Sequence, residues 1–142
     1  MRSATSLLVS CTLAVAALAG AGCSKDKPHA AAKGELPTVT VDQLAKDLAA
    51  SAAKPVDANG QKTRKDVGFI PGAVLLTDYE TYAASELPAD KGQPLVFYCA
   101  NEQCGASHEA AAKAVSLGYK NVKVLPAGIM GWTSAGQRVE KL

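Results

Sequence analysis

The chain has 142 residues, with 15 Lys or Arg against 13 Asp or Glu and a formal net charge of +2. Aromatic residues make up only 5% of the chain and the basic residues are scattered, which argues against a nucleic-acid-binding surface. The length allows about one domain of ordinary size.

Residues 1–22 have the pattern of a secretory signal. Arg2 is followed by an uncharged, largely apolar run, Leu7 to Ala21, which is short for a membrane-spanning helix. The segment ends in A-G-A-G-C, which resembles the lipobox of bacterial lipoproteins, although Gly20 stands where that motif usually has Leu. The resemblance implies that Cys23 is lipidated and begins the mature chain. The alternatives are an ordinary cleaved signal peptide and an N-terminal membrane anchor.

Residues 23–35 contain Lys, Asp, Ala and Pro and almost nothing that could enter a core, so they are predicted to be a flexible tether. Residues 36–142 then form the single domain. We expect it to be lipid-anchored to a membrane of the bacterial cell envelope, facing the periplasm or the exterior.

The four cysteines divide by position. Cys11 is expected to be removed with the signal peptide and Cys23 to be lipidated, so Cys99 and Cys104 are the free cysteines expected in the domain. In an oxidising envelope that pair is free to be a dithiol, a disulfide or a persulfide site.

The domain is predicted to open with a helix from about Val41 to Ala52. Thr40 and Gln43 match a capping box, and Val39 with Leu44 matches a hydrophobic staple. A short strand, Pro55 to Ala58, should follow.

Polar residues 59–68 are predicted to be an exposed loop, followed by a turn at Pro71 and Gly72 and a buried strand near Val74. Thr77 and Glu80 repeat the capping-box spacing, so a short helix is expected to run to about Glu86.

Leu95 to Tyr98 is a continuous apolar run that predicts a strand buried on both faces, with Cys99 at its end. Ser107 is placed to cap a helix over 109–117. A strand over 121–125 and a helix over 128–134 complete the alternation. The pattern predicts an α/β fold with a small parallel sheet covered by helices on both faces.

Cys99 is the candidate nucleophile. A thiol at the carboxyl end of a buried strand faces the crevice where open α/β sheets bind ligands. The helix that starts just after it directs N–H groups and a positive dipole end to this point, which predicts a lowered thiol pKa. The alternative is that Cys99 is a small buried apolar residue.

Six segments together, in their order and spacing, resemble the rhodanese homology domain. They are V-D, I-P-G-A-V, V-F-Y-C, S-x-x-A-A, L-G-Y-x-N-V and G-x-x-x-W-x-x-x-G, beginning at Val56, Ile70, Val96, Ser107, Leu117 and Gly128. The resemblance implies a rhodanese-like fold. It also implies that Cys99 accepts a sulfane sulfur as a persulfide and passes it to an acceptor such as cyanide or a thiol. Backbone N–H groups of the following loop would stabilise the charge on that sulfur.

The sequence departs from the rhodanese pattern around the site. Asn59 and Phe69 replace an Arg and a His, and Ala127 replaces the first Gly of a pair. The loop between Cys99 and Ser107 holds seven residues, two more than the common C-x-x-G-x-R-S pattern, and no Arg. These changes suit a substrate other than thiosulfate, or weak binding of thiosulfate.

The candidate site comprises the catalytic cysteine, the loop that follows it and two supporting residues. One supporting residue is in the predicted strand Pro55 to Ala58 and the other is in the polar segment 59–68. The loop residues are Ala100, Asn101, Glu102, Gln103, Cys104, Gly105, Ala106 and Ser107, and the supporting residues are Asp57 and Arg64.

Three interpretations compete. In a sulfurtransferase, Cys104 can resolve the Cys99 persulfide by forming a disulfide. In a non-catalytic redox or structural module, Cys99 and Cys104 form a disulfide that stiffens the loop. A metal site with His108 is disfavoured, because C-x4-C-x3-H matches closed zinc sites poorly.

No cofactor or metal is predicted. A phosphatase or arsenate reductase is set aside, because the loop lacks the cation that clamps a tetrahedral dianion. We expect a monomer that meets a small sulfur-containing substrate or a thiol acceptor.

Overall fold

Four parallel strands form the centre of residues 35–142, the part of the chain that the computed structural model describes. Their order across the sheet is β2-β1-β3-β4. The strands are β1 (Lys54–Asp57), β2 (Val74–Leu75), β3 (Leu95–Tyr98) and β4 (Val122–Leu125), and the helices are α1 (Val41–Ala49), α2 (Gln61–Asp66), α3 (Ala106–Ser116) and α4 (Gly128–Ser134). The predicted α/β class and parallel sheet are confirmed.

The central strand β3 separates two core layers, because successive side chains of a strand point to opposite faces. Leu95, Phe97 and Cys99 belong to the layer that contains the alanines of α3. Val96 and Tyr98 belong to the other, which contains Leu44 of α1 together with Ile129 and Trp132 of α4. All four residues of β3 are buried, as their sequence predicts.

Helix α1 begins as predicted. The Gln43 backbone N–H donates to Thr40 Oγ1 at 3.2 Å, and the Thr40 N–H donates to Gln43 Oε1 at 3.2 Å, which completes the capping box. Val39 and Leu44 are buried in one cluster, in agreement with the staple.

The prediction of an exposed loop over 59–68 was wrong. Residues 61–66 form α2, and Arg64 of this helix is 5% exposed. The segment has no apolar periodicity from which a helix could be inferred. The buried residue of this helix is the charged Arg64, and no apolar side chain takes that position. Lys62 and Asp66 form an i,i+4 ion pair on the exposed face.

The helix predicted from Thr77 is also absent; only a 3₁₀ turn, Ala84–Glu86, forms there. The predicted capping box between Thr77 and Glu80 does not form. Instead, the Asp78 carboxylate accepts the Thr81 N–H at 2.8 Å. Glu86 accepts from the Thr77 N–H at 2.8 Å and from the Thr77 hydroxyl at 2.9 Å. These hydrogen bonds close the segment into a turn, which competes with helix formation.

The predicted signal (1–22), Cys11, Cys23 and the tether up to residue 34 lie outside the described residues. Within residues 35–142, none of the helices combines the length and apolar character needed to cross a membrane.

Candidate active site

Cys99 lies directly after β3 at the carboxyl edge of the sheet, as predicted. The strand is flanked by β1 and β4, and the Ala58 N–H donates to the Tyr98 carbonyl at 2.9 Å, so β1 ends beside Cys99. The following residues loop over the cysteine before α3 begins at Ala106. Cys99 is 1% exposed. Its thiol is therefore covered in this state.

The Cys99 thiol is held mainly by oxygen atoms. Its Sγ donates to the Cys104 carbonyl at 3.0 Å and lies 3.8 Å from the Asn101 carbonyl oxygen. The Ser107 Oγ lies 3.3 Å away. Carbonyl acceptors stabilise a thiol more than a thiolate, because only the thiol has a proton to donate.

Ser107 does not cap α3, contrary to the prediction. Gly105 is the N-cap, and Ser107 is a buried residue of the first helical turn. Its hydroxyl is engaged with Cys99 Sγ instead. The residue thus belongs to the site through Cys99, on which both its hydroxyl and its backbone N–H act.

The expected lowering of the Cys99 pKa is likewise wrong. Burial raises the pKa of this thiol, and the neighbouring Cys104 raises it further, although Ser107 acts in the opposite direction. The helix end does provide N–H groups: that of Ser107 lowers the pKa of Cys99 against the larger effect of burial, and that of Ala106 lowers the pKa of Cys104. The prediction named the direction of the helix-end effect but neglected the burial of Cys99, which outweighs it.

Cys104 is the more ionisable thiol of the pair. Burial alone would raise its pKa, but the neighbouring Cys99 thiol and the backbone N–H groups of Ala100 and Ala106 lower the pKa of Cys104 overall. The residue is partly exposed, and the Cys104 N–H donates to the Asn101 carbonyl at 3.1 Å. We call Ala100 and Ala106 the N–H pair. Both cysteines are free thiols.

Helix α4 holds the first part of the loop. The Ile129 N–H donates to the Cys99 carbonyl at 2.9 Å, and the Met130 N–H donates to the Ala100 carbonyl at 3.0 Å. Gly128 has φ +59°, and a Cβ there would lie 2.6 Å from both carbonyl oxygens. Only glycine allows this close approach. The G-x-x-x-W segment was noticed in the sequence, but its contact with the loop was not predicted.

Asp57 and Arg64, the two predicted supporting residues, form a buried ion pair beside the site. Arg64 Nε donates to Asp57 Oδ2 at 3.2 Å, and its Nη2 donates to the Asp57 carbonyl at 3.0 Å and the Leu76 carbonyl at 2.9 Å. Burial raises the pKa of Asp57, while the Asn59 N–H and Arg64 lower it in part. Through these three hydrogen bonds Arg64 braces the ends of β1 and the segment that follows β2.

A groove of about 380 Å³ runs beside the loop. It is lined by Asn101, Glu102, Gln103, Ala127, Met130, Gly131 and Ser134. The α4 side of this groove was not predicted. Neither Lys nor Arg lines it, and Glu102 is its one charged lining residue. Cys99 is not among the lining residues.

His108 is exposed on α3, and within residues 35–142 no group of three His, Cys, Asp or Glu side chains is arranged to hold a metal ion. The geometry therefore gives no support to the metal alternative.

Comparison with known proteins identifies related domains. The family model described as the rhodanese-like domain matches residues 40–135. No curated protein shows significant sequence similarity to the chain.

Three of the similar solved structures illustrate the relationship. A rhodanese-like domain of an Anabaena protein is 22% identical, with a TM-score of 0.62 and coverage of 76% of this chain and 81% of that one. The 3-mercaptopyruvate sulfotransferase SseA of Escherichia coli is 20% identical, with a TM-score of 0.61; the match covers 76% of this chain and 51% of SseA. The human single-domain sulfurtransferase TSTD1 is 23% identical, with a TM-score of 0.56 and coverage of 70% and 97%. At these identities the likeness is one of fold.

Proposed function

Because the chain belongs to the rhodanese-like domain family, we propose that it is a sulfurtransferase that carries a sulfane sulfur on Cys99 and passes it to a thiol acceptor. The proposal agrees with the strand-end position of Cys99 at the edge of the sheet where ligands of open α/β folds bind.

The N–H pair beside Cys99 is the observation that carries the proposal. In the resting loop these two N–H groups lower the pKa of the Cys104 thiol, so they already favour negative charge on a sulfur atom. If Cys104 moves out, the outer sulfur of a Cys99 persulfide takes this position. Backbone N–H groups stabilise negative charge without having to reorganise, which favours the persulfide anion.

The transfer balances without a cofactor. The Cys99 sulfur attacks the sulfane sulfur of a donor R–S–SH, the donor S–S bond breaks, and the departing thiolate takes up the proton that Cys99 gives up. The products are the Cys99 persulfide and R–SH. An acceptor thiol then attacks the outer sulfur and regenerates Cys99.

The donor is expected to be an organic persulfide. Thiosulfate is a dianion, and enzymes usually bind such anions with Arg or Lys. Residues 100–107 contain no basic residue and one acidic residue, Glu102, and Arg64 is occupied by Asp57.

Mass spectrometry tests the proposal. After incubation with an organic persulfide and removal of excess reagent, Cys99 should carry one additional sulfur, and thiosulfate should load it less. In Cys104→Ala, the added sulfur should remain on Cys99 for longer, because the thiol that can attack it and release sulfide is gone. Ser116→Ala, on the exposed end of α3, is the matched control and should behave as the unmodified protein.

No added sulfur on Cys99 in either protein would contradict the sulfurtransferase proposal. It would favour the alternative in which the two cysteines form a structural disulfide. In that case Cys104→Ala should lower the melting temperature under oxidising conditions, and the disulfide should have a strongly reducing potential.

We also propose that the domain is anchored to a membrane of the bacterial cell envelope by a lipid on Cys23. The support is the sequence A-G-A-G-C followed by a polar, Lys-containing segment. The acceptor thiol would then be located in the periplasm or at the exterior.

Cys23→Ala should lose membrane association. In a bacterial host that processes lipoproteins, the unmodified protein should be recovered in the membrane fraction with a blocked, lipid-bearing N-terminus. The alanine variant should carry no lipid and should move to the soluble fraction. Recovery of the unmodified protein as a soluble species with a free N-terminus would refute the anchor.

A further inference from the structure

The two cysteines are inequivalent. Cys99 is 1% exposed, and its thiol donates to the Cys104 carbonyl at 3.0 Å. Cys104 is partly exposed and is the thiol that the N–H pair faces. One sulfur is therefore covered and has a raised pKa, whereas the other is partly exposed and has a lowered pKa.

We propose that this pair has a second activity, the reduction of disulfides by thiol–disulfide exchange, in which Cys104 is the attacking thiol and Cys99 the resolving thiol. This goes beyond sulfur transfer, because it neither forms nor consumes a persulfide. It also assigns the first nucleophilic attack to Cys104, whereas the sequence pattern indicates Cys99 as the nucleophile.

Cys104 has what an attacking thiol requires. A thiolate is the reactive form, and hydrogen bonds from backbone N–H groups favour it, as does the neighbouring Cys99 thiol. The residue is partly exposed, whereas Cys99 is covered, and its chain neighbour Gln103 lines the groove beside the loop.

Cys99 has what a resolving thiol requires. It is covered, so an external disulfide does not reach it first, and its sulfur is next to both the backbone carbonyl and the thiol of Cys104. Its carbonyl is fixed by the Ile129 N–H at 2.9 Å. The five-position separation in one loop lets the two sulfurs meet without movement of a secondary-structure element.

The reaction balances in two exchanges. The Cys104 thiolate attacks one sulfur of R–S–S–R, the S–S bond breaks, and R–S⁻ leaves and is protonated. Cys99 then loses its proton and attacks the Cys104 sulfur, which expels the second R–S⁻ and leaves a Cys99–Cys104 disulfide. The dithiol gives up two electrons and the substrate becomes two thiols. An external thiol reductant would be needed for another cycle.

A chromogenic disulfide, dithiodipyridine, tests the assignment in single turnover. The full chain is used with Cys11→Ser and Cys23→Ser, so that only Cys99 and Cys104 remain. One equivalent should release two thiopyridones and leave a protein disulfide with no adduct. Adding Cys99→Ser should release one thiopyridone and leave a stable adduct on Cys104. Adding Cys104→Ser instead should slow the reaction at least about tenfold, because only the covered thiol remains.

A second measurement avoids further variants. Substoichiometric alkylation of the reduced protein, followed by peptide mapping, should label Cys104 at least about tenfold more than Cys99. Preferential labelling of Cys99 would overturn the proposal. So would an undiminished rate in the Cys104→Ser protein, or an adduct that persists with both thiols present.

The two proposals fail separately. Loss of disulfide reduction with persulfide still formed on Cys99 would refute only the exchange activity. Disulfide reduction through Cys104, with no sulfur ever gained by Cys99, would refute only the sulfurtransferase.

Discussion

Replacing Cys99 by Ser is expected to lower turnover of an organic persulfide by at least about 10³-fold, since removal of a catalytic nucleophile commonly costs that much or more. A Ser hydroxyl is far less ionised than a thiol at neutral pH and cannot take a sulfane sulfur into a comparable bond. The substitution changes one atom of similar size in a site where the sulfur already contacts polar groups, the Cys104 carbonyl and the Ser107 hydroxyl. The fold should therefore persist.

Sulfide production and transfer to an acceptor thiol measure this effect, and far-ultraviolet circular dichroism checks the fold. Ser116→Ala again provides the control. Continued turnover in the Cys99→Ser protein would show that Cys104 carries the sulfur, and the role assigned to Cys99 would be wrong.

Arg64→Leu should destabilise the domain by about 3–5 kcal/mol, the usual cost of stranding one member of a buried ion pair. The Asp57 side chain is 0% exposed and that of Arg64 is 6% exposed, so water cannot replace the lost guanidinium. Two backbone carbonyls, those of Asp57 and Leu76, also lose their donor. Because small domains are stable by about 5–15 kcal/mol, this loss is a large share of the total.

Urea unfolding measures that loss, with Lys65→Leu as the matched control. Lys65 lies on the exposed side of the same helix, so its replacement should change the free energy of unfolding by less than about 0.5 kcal/mol. Equal stability of the two variants would show that the ion pair does not support the fold. The double variant Asp57→Asn, Arg64→Leu should recover part of the loss, because no charge is then stranded.

The destabilisation caused by Arg64→Leu should be greater at neutral than at acidic pH. Arg64 lowers the pKa of Asp57 against the larger effect of burial, so its removal raises that pKa further. A carboxyl group whose pKa is raised on folding favours the folded state while protonated and disfavours it as the pH rises through the folded-state pKa. Unfolding measured at about pH 5 and pH 7 should therefore show the smaller difference from unmodified protein at the lower pH.

The parts of the fold that were predictable are those specified by local pattern. The apolar run that becomes β3, the capping box at Thr40 and the helix that carries Trp132 each have a short-range signal. The position of Cys99 follows from β3 alone. The local conformations that these patterns favour are found in the folded domain because the tertiary contacts favour the same conformations.

The parts that were not predictable depend on contacts between distant residues. Arg64 is buried because Asp57 and Leu76 supply acceptors, and these are 7 and 12 positions away. The cysteine roles depend on which way single peptide groups point within the loop. Neither kind of information is present in residue type or spacing, so a polar segment was taken for an exposed loop and the pKa of Cys99 was expected to be lowered.

The anchoring of the loop by α4 divides the loop into two parts with different tolerance for redesign. Cys99 and Ala100 are tied through their carbonyls to Ile129 and Met130, whereas the backbone N–H groups of Gln103 and Cys104 both donate to Asn101 within the loop. Insertions or grafted segments within 101–103 should leave the strand-end cysteine in place. In evolutionary terms, the length and chemistry of the covering segment can change without a new scaffold, which gives one fold a means of acquiring different sulfur chemistries.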